Sequence, residues 1–306
     1  MRRGGGGRQP QDVQVMMLVR YCNANCQRNH WPKHKKDCKR RAAELRDEAL
    51  FKEPPPKEDC PICFLPMPIY LISCASLPPA TMSSLPIHDY ANEHEELVKK
   101  CADEYYSCCG KNIYGGCMYS FSKSGRSGTC PFCNSNRDEK TDDEQIDDLM
   151  KRVEANDAGA TYVLGSYHCH GSGSLQQDSD RAIELWTQAA KLGSRQAHHN
   201  LGSIYYEGGD VKTAKFHYEA AAMDGHETAR FNLGCMEYKS GKVERAVKHW
   251  NIAASAGNYK AMNTLIKFFE IGDVSRESID STLMAYNSSC AEFRSEARDA
   301  CIRAML

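Results

Sequence analysis

The stretch AHHNLGSIYYEGGDVKTAKFHYEAAAMDG, residues 197–225, decides the fold, because it returns 32 residues later as ARFNLGCMEYKSGKVERAVKHWNIAASAG, residues 229–257. Ala197, Ala229 and Ala261 keep that period, as do Leu201, Leu233 and Leu265. So do the aromatics Trp186, Tyr218 and Trp250 and the glycines Gly193, Gly225 and Gly257. Each copy reads as a helix, a Gly-containing turn, a second helix and a glycine stop after an Ala-Ala pair. Small residues at fixed helical positions let two antiparallel helices approach closely. A unit this short cannot bury its apolar face alone, so neighbours must stack into a solenoid. The block from Ala160 reads as an earlier copy with five extra residues in a Gly-Ser-Gly-Ser loop near Gly171 to Ser174, and a worn fourth copy starts at Tyr259.

Upstream of the repeats the chemistry changes. Twelve of the sixteen cysteines lie before residue 134, several as metal-ligand pairs: Cys60-Pro-Ile-Cys63, Cys108-Cys109 with Cys117, and Cys130-Pro-Phe-Cys133. A Cys-x-x-Cys turn offers two thiolates to one soft, tetrahedral cation at about 2.3 Å, which points to zinc. The 306-residue chain is long enough for two or three domains. Its net charge of −1 names no partner. Charge is unevenly placed: residues 1–52 carry thirteen Lys or Arg against five Asp or Glu, while Asp138 to Asp157 is mainly acidic. The basic run Lys33 to Arg41 reads as a solvated helix face in preference to a nuclear address or nucleic-acid patch.

No stretch approaches the ~20 apolar residues needed to span a bilayer, and no signal peptide is visible, so no membrane association is expected. Cysteine-rich without a secretory signal, the chain is expected to keep reduced, metal-binding thiols inside the cell, in the cytoplasm or nucleus. The expected architecture is small zinc-stabilised α+β modules followed by an all-α helical-repeat solenoid. Residues 1–20 read as disordered, 21–51 as a Cys/His segment with a charged helix from Lys39 to Phe51, and 52–58 as a stiff proline linker. Residues 59–136 form the second cysteine module and 137–156 a linking helix, with repeats from 157 to 300. Thr141-Asp-Asp-Glu144 has the form of a capping box opening a helix toward Val153.

The repeat pattern A-x-x-x-L-G-x-x-Y…A-x-x-x-W/Y-x-x-A-A-x-x-G resembles Sel-1-like repeats, relatives of tetratricopeptide repeats. That resemblance implies an adaptor surface for a protein target. Cys22, Cys26, His34 and Cys38, with Trp31-Pro32 between them, resemble the second half of a MYND zinc finger. His34 and Cys38 are one helical turn apart, so both can reach one ion. A full MYND finger carries two further cysteine pairs upstream, and none precedes Cys22. Two readings stay open: a chain truncated relative to that family, or four ligands gathered on one zinc.

The second module resembles a RING finger. The resemblance implies that Cys60, Cys63 and Cys117 share one zinc, and that Cys108, Cys109, Cys130 and Cys133 hold another. Tyr114 stands where the first site's fourth cysteine is expected; three cysteines plus water, or recruitment of Cys74 or Cys101, are the alternatives. RING fingers promote ubiquitin transfer by docking a ubiquitin-conjugating enzyme, and Ile62 and Pro131 match its groove. Asn134 stands in place of the family's frequent cation, which leaves enzymatic activity open. The whole arrangement resembles expanded protein families of algae such as diatoms.

Other features read as structural. His168-Cys169-His170 falls at the end of a repeat helix, and one of His198 and His199 is expected to face solvent. Cys235, Cys290 and Cys301 read as lone buried hydrophobes. No nucleophile elbow, phosphate-cradling loop or dinucleotide fingerprint is present, so catalysis by side chains is not expected. The expected partners are a protein target on the repeats and, for a RING-like finger, a ubiquitin-conjugating enzyme, with nucleic acid the weaker reading.

Overall fold

The computed structural model describes residues 31–57, 59–62, 103–126 and 128–292. Two compact units divide at Glu53 and Pro54. In the first, helix α1 (Trp31–Leu50) starts at Trp31, ahead of the expected Lys39. Lys36, Lys39, Arg40 and Arg41 are exposed on it, as a solvated basic face requires. Arg40 and Arg41 pair with Glu44, and Arg41 also with Glu48, at 3.2 to 3.7 Å. Such exposed pairs contribute about 0–1 kcal/mol each.

The second unit begins with the proline segment and a small cysteine-rich finger. Strands β1 (Asp103–Tyr106) and β2 (Lys111–Tyr114) pair antiparallel, Asp103 opposite Tyr114 and Tyr106 opposite Lys111. Helix α2 (Gly115–Phe121) follows directly. Helix α3 (Asp142–Glu154) opens at the predicted capping box: Thr141 accepts from the Glu144 amide, and the Glu144 carboxylate accepts from the Thr141 amide.

Four helical pairs then follow: α4 (Ala158–His170) with α5 (Ser179–Lys191), α6 (Arg195–Glu207) with α7 (Val211–Met223), α8 (Glu227–Lys239) with α9 (Val243–Ser255), and α10 (Tyr259–Glu270) with α11 (Arg276–Glu292). Consecutive helices pack on one another, and α11 lies against both α9 and α10. The periodic alanines Ala160, Ala197, Ala229 and Ala261 are all 0% exposed. Each stands three residues inside its helix, donating its amide to the side chain of the capping residue: Asp157, Ser194, His226 or Asn258.

The repeat's Leu-Gly pair explains its aromatic. A Cβ on Gly165 would lie 2.7 Å from the Trp186 ring, one on Gly202 2.7 Å from the Tyr218 ring, and one on Gly234 inside contact distance of Trp250. The first helix of each pair therefore gives up a side chain where the second inserts an indole or phenol. In the fourth pair both positions change together: Ile266 stands where glycine is expected and Thr282 where the aromatic is expected. Thr282 turns instead to α9, where its hydroxyl donates to Asn251 Oδ1 at 3.3 Å.

His198 and His199 do not divide into one inward and one outward residue. Both are half-buried. His198 Nδ1 lies 3.0 Å from His217 Nδ1, and the His199 ring stacks on His226 at 4.5 Å. The helix they share is gripped on two sides, by α7 and α8, so neither face is free. Cys235 is half-buried against the C-terminal core, and Cys290 is buried but disulfide-bonded, a departure from the expected lone thiol.

Two predictions follow from this packing. Gly234→Ala should cost about 1–3 kcal/mol through overpacking against Trp250; combined with Trp250→Leu, the two costs should add to less than their sum in chemical denaturation. Burial also pushes His198 and His217 down to about 4 and His249 down to about 3. An unfolded imidazole titrates near 6.5, so between that pH and about 4 the unfolded chain binds more protons than the native one. Stability should therefore be intact above pH 6.5 and fall steadily toward pH 4; a melting temperature flat across this window would overturn the assignment.

Candidate metal centre

Two turns of the finger are built alike. In Tyr106-Ser-Cys-Cys-Gly110 the amides of Cys109 and Gly110 both donate to the Tyr106 carbonyl, at 3.1 and 2.7 Å, and Gly110 takes φ +69°. In Cys130-Pro-Phe-Cys133-Asn134 the Asn134 amide donates to the Cys130 carbonyl at 2.9 Å, and Asn134 takes φ +57°. A left-handed residue after the second cysteine reverses the chain in each case. Glycine does this without steric cost, and asparagine better than most other side chains. Asn134 thus has a backbone reason to stand where the sequence comparison expected a cation.

These turns bring Cys108, Cys109, Cys130 and Cys133 together, with every sulfur within 4.8 Å of every other. Cys109 Sγ and Cys130 Sγ are 3.6 Å apart. A tetrahedral ion with ligand distances of about 2.3 Å places its sulfurs about 3.8 Å apart, so the set fits zinc. Cys130 is buried, Cys108 and Cys109 half-buried and Cys133 exposed. Burial pushes the Cys108 thiol up to about 12 and raises Cys109, while the Ser135 hydroxyl, 3.3 Å from Cys133 Sγ, holds that thiol at about 7. Metal binding here therefore displaces protons. Two four-residue strands make a marginal hairpin on their own, so the finger's fold leans on its neighbours and on whatever ion its thiols hold.

A second pair forms beside the first set. Cys60 Sγ and Cys117 Sγ are 3.7 Å apart, both buried in one cluster with Tyr106, Ile113 and Tyr114. Tyr114 is wholly buried there and begins α2 as its N-cap residue. Cys63, Cys74 and Cys101 lie outside the described residues, as do Cys22 and Cys26, while His34 and Cys38 stand four residues apart on α1. Of the expected groove residues, Ile62 is half-buried against the cysteine cluster and Pro131 half-buried on its turn. Phe132 between the cysteines is 38% exposed, with the Lys111 ammonium 4.7 Å above its ring. Among the described residues, no metal-ligating group forms around His168 and His170.

Sequence reasoning missed what holds the finger in place. The Tyr105 hydroxyl donates to Asp157 Oδ2 at 2.7 Å, and Arg152 Nε donates to the Ser107 carbonyl. Arg137 stacks 4.2 Å above Tyr106 and pairs with Glu104 at 2.6 Å. A Cβ on Gly159 would meet the Tyr105 ring at 2.7 Å, so the hairpin rests directly on the first repeat helix. Only Asp157 carried a signal in the sequence, as a cap residue ahead of a helix.

Two family models match the chain: the MYND finger at residues 17–38, and the Sel1 repeat at residues 158–194, 195–226 and 228–258. The first two repeat matches begin at the first residues of α4 and α6, so residues 158–258 form a Sel1-type helical-repeat solenoid in a chain that also carries a MYND-finger match. Residues 59–136 lie outside both matches. Among solved structures the chain is similar to a Sel1 repeat protein from Oxalobacter formigenes, at 29% identity over 40% of this chain and 97% of that one, with a TM-score of 0.36. It is similar to c5321, a protective antigen of uropathogenic Escherichia coli displaying an SLR fold, at 18% identity over 62% of this chain and 47% of the antigen, TM-score 0.40. It is also similar to the immunity protein Pa5087 from Pseudomonas aeruginosa, at 17% identity over 61% and 75% of the two chains, TM-score 0.37. No curated protein matches it. A MYND finger is a zinc-binding domain, and zinc is the metal that the thiol set also fits. Among the described residues, no helix is long and apolar enough to cross a membrane.

The grouping of thiols makes a prediction for native mass spectrometry of the full chain. Cys130→Ser should remove one zinc, and Cys108→Ser/Cys130→Ser should remove that same one and no more. Cys60→Ser/Cys130→Ser should remove two. Loss of two ions from the Cys108/Cys130 pair would show that the four thiols do not share a site.

Proposed function

We propose that this protein is a zinc-built interaction adaptor: the Sel1-like repeats hold a protein target, and metal folds the cysteine-rich segments that accompany them. The observation that carries this reading is the seating of the finger on the first repeat. Tyr105 and Arg152 tie the hairpin to Asp157, the residue that caps α4. A target held by the repeats then stands at a set distance from whatever the finger engages. Within the finger, Cys60, Cys63 and Cys117 form one zinc site, and Cys108, Cys109, Cys130 and Cys133 the other, in the interleaved order of a RING finger. The 3.7 Å Cys60–Cys117 approach, separate from the four-sulfur set, supports that order. Cys22, Cys26, His34 and Cys38 bind zinc in the MYND-like segment.

A second reading makes the finger a ubiquitin ligase that docks a conjugating enzyme on Ile62 and Pro131. The interleaved thiols and the exposed Phe132 beside Pro131 favour it; Tyr114 in the first site and Ile62 packed against the cluster weigh against it. Ubiquitin transfer with a panel of conjugating enzymes separates the two. The adaptor reading expects no chains, with target capture retained in Ile62→Ala. Zinc-dependent chains lost in Ile62→Ala, at unchanged zinc content, would establish the ligase instead.

A further inference from the structure

The segment Pro54-Pro55-Pro56-Lys57, legible in the sequence only as a stiff linker, is docked on the solenoid. Pro54, Pro55 and Lys57 are half-buried while Pro56 is exposed, the pattern of a chain gripped from one side. The two buried prolines rest on the turn at Gly225: a Cβ there would lie 3.6 Å from the Pro55 carbonyl, 3.7 Å from its ring and 3.8 Å from Pro54. At the equivalent Gly193, one repeat earlier, an added Cβ would meet nothing within 4 Å. Both glycines serve the same backbone turn, at φ +87° and +96°, so the difference lies in what covers them.

Lysine completes the contact. Lys57 Nζ donates to the Ala256 carbonyl at 2.8 Å, at the C-terminal end of α9, where the helix dipole favours a cation. It also stands 3.9 Å from Glu227 Oε1 at the start of α8, with the two side chains only 14% and 2% exposed. Glu227 has no counterpart in the array: the equivalent positions are Ala158, Arg195 and Tyr259. A buried carboxylate is costly unless a cation accompanies it. This turn therefore combines a glycine platform for prolines with a carboxylate and a helix-end carbonyl for an ammonium, whereas at the Gly193 turn the glycine is uncovered and Arg195 stands in the carboxylate's place.

We propose that this seat is a peptide-recognition site of the solenoid, that residues 54–57 occupy it in cis, and that its partner in trans is an extended Pro-Pro-x-Lys segment of another protein. Prolines suit the role because their fixed φ leaves little backbone freedom to lose on docking. A tethered ligand meets its seat at roughly millimolar effective concentration, so the cis segment stays docked with only weak intrinsic affinity and a partner must outcompete it. The proposal deepens the adaptor reading by naming a partner class. It does not depend on the finger's zinc content, and its failure leaves target capture elsewhere on the repeats intact.

The test uses the full chain and a labelled peptide of residues 52–58, Lys-Glu-Pro-Pro-Pro-Lys-Glu, read by fluorescence anisotropy. Lys57→Ala weakens the cis ligand and leaves the seat whole, so it should bind the peptide at least about tenfold more tightly than the parent chain. A peptide with its internal lysine replaced by glutamine should lose at least about tenfold, a comparison that needs no further change to the protein. Glu227→Gln added to Lys57→Ala should lose binding similarly, with thermal melting reporting that the repeats remain folded. Three results would each overturn the proposal: no binding to Lys57→Ala at millimolar peptide, equal affinity for Lys57→Ala and the parent chain, or indifference to the peptide's lysine.

Discussion

One carboxylate joins the two halves of the second unit. Asp157 Oδ1 accepts the Ala160 amide at 3.1 Å and so starts the first repeat helix; Oδ2 accepts the Tyr105 hydroxyl at 2.7 Å from the finger's first strand. Arg152 stands 3.5 Å from the same oxygen and also donates to Ser107, next to the first zinc-ligand candidate. A helix cap is a local device, but here it also fixes where a neighbouring module rests. Substituting it would expose a helix terminus and release the hairpin together, because the same group serves both.

The two halves are stabilised by different physics. The repeats bury alanines against alanines and an aromatic against a glycine, so their cohesion is apolar area at close approach. Six of the finger's buried residues form a cluster in which three are cysteines. Its thiol set fits zinc, and a structural zinc site contributes about 10–16 kcal/mol of apparent binding energy at neutral pH. Chelation should therefore act on one half and leave the other folded, whereas acid acts on both, competing with metal for the finger's thiols and charging the buried histidines of the repeats.

Charge is buried in the repeats only where it is answered. Glu237, 1% exposed, accepts from Lys215 at 2.5 Å and has Arg245 at 3.5 Å and Lys242 at 3.7 Å. Its carboxyl is held below the usual range: burial raises it, and these three cations together lower it more. Arg230, 2% exposed, donates to the Ala222 carbonyl at 2.6 Å, with burial lowering its guanidinium to about 10. Lys57 and Glu227 follow the same rule, with the difference that their cation arrives from outside the array.

The helical pairs, their 32-residue period, the capping box at Thr141 and the paired cysteines are all legible in the sequence, because each rests on local spacing that the backbone must obey. Tertiary structure alone decided which thiols converge, that His198 and His199 are both enclosed, that Cys290 is not a lone thiol, and that the proline linker lies on the Gly225 turn. Those outcomes join residues far apart in the chain, such as Lys57 with Ala256 and Tyr105 with Asp157. Spacing fixes what a segment can form; contact between segments depends on which surfaces meet once the solenoid has stacked.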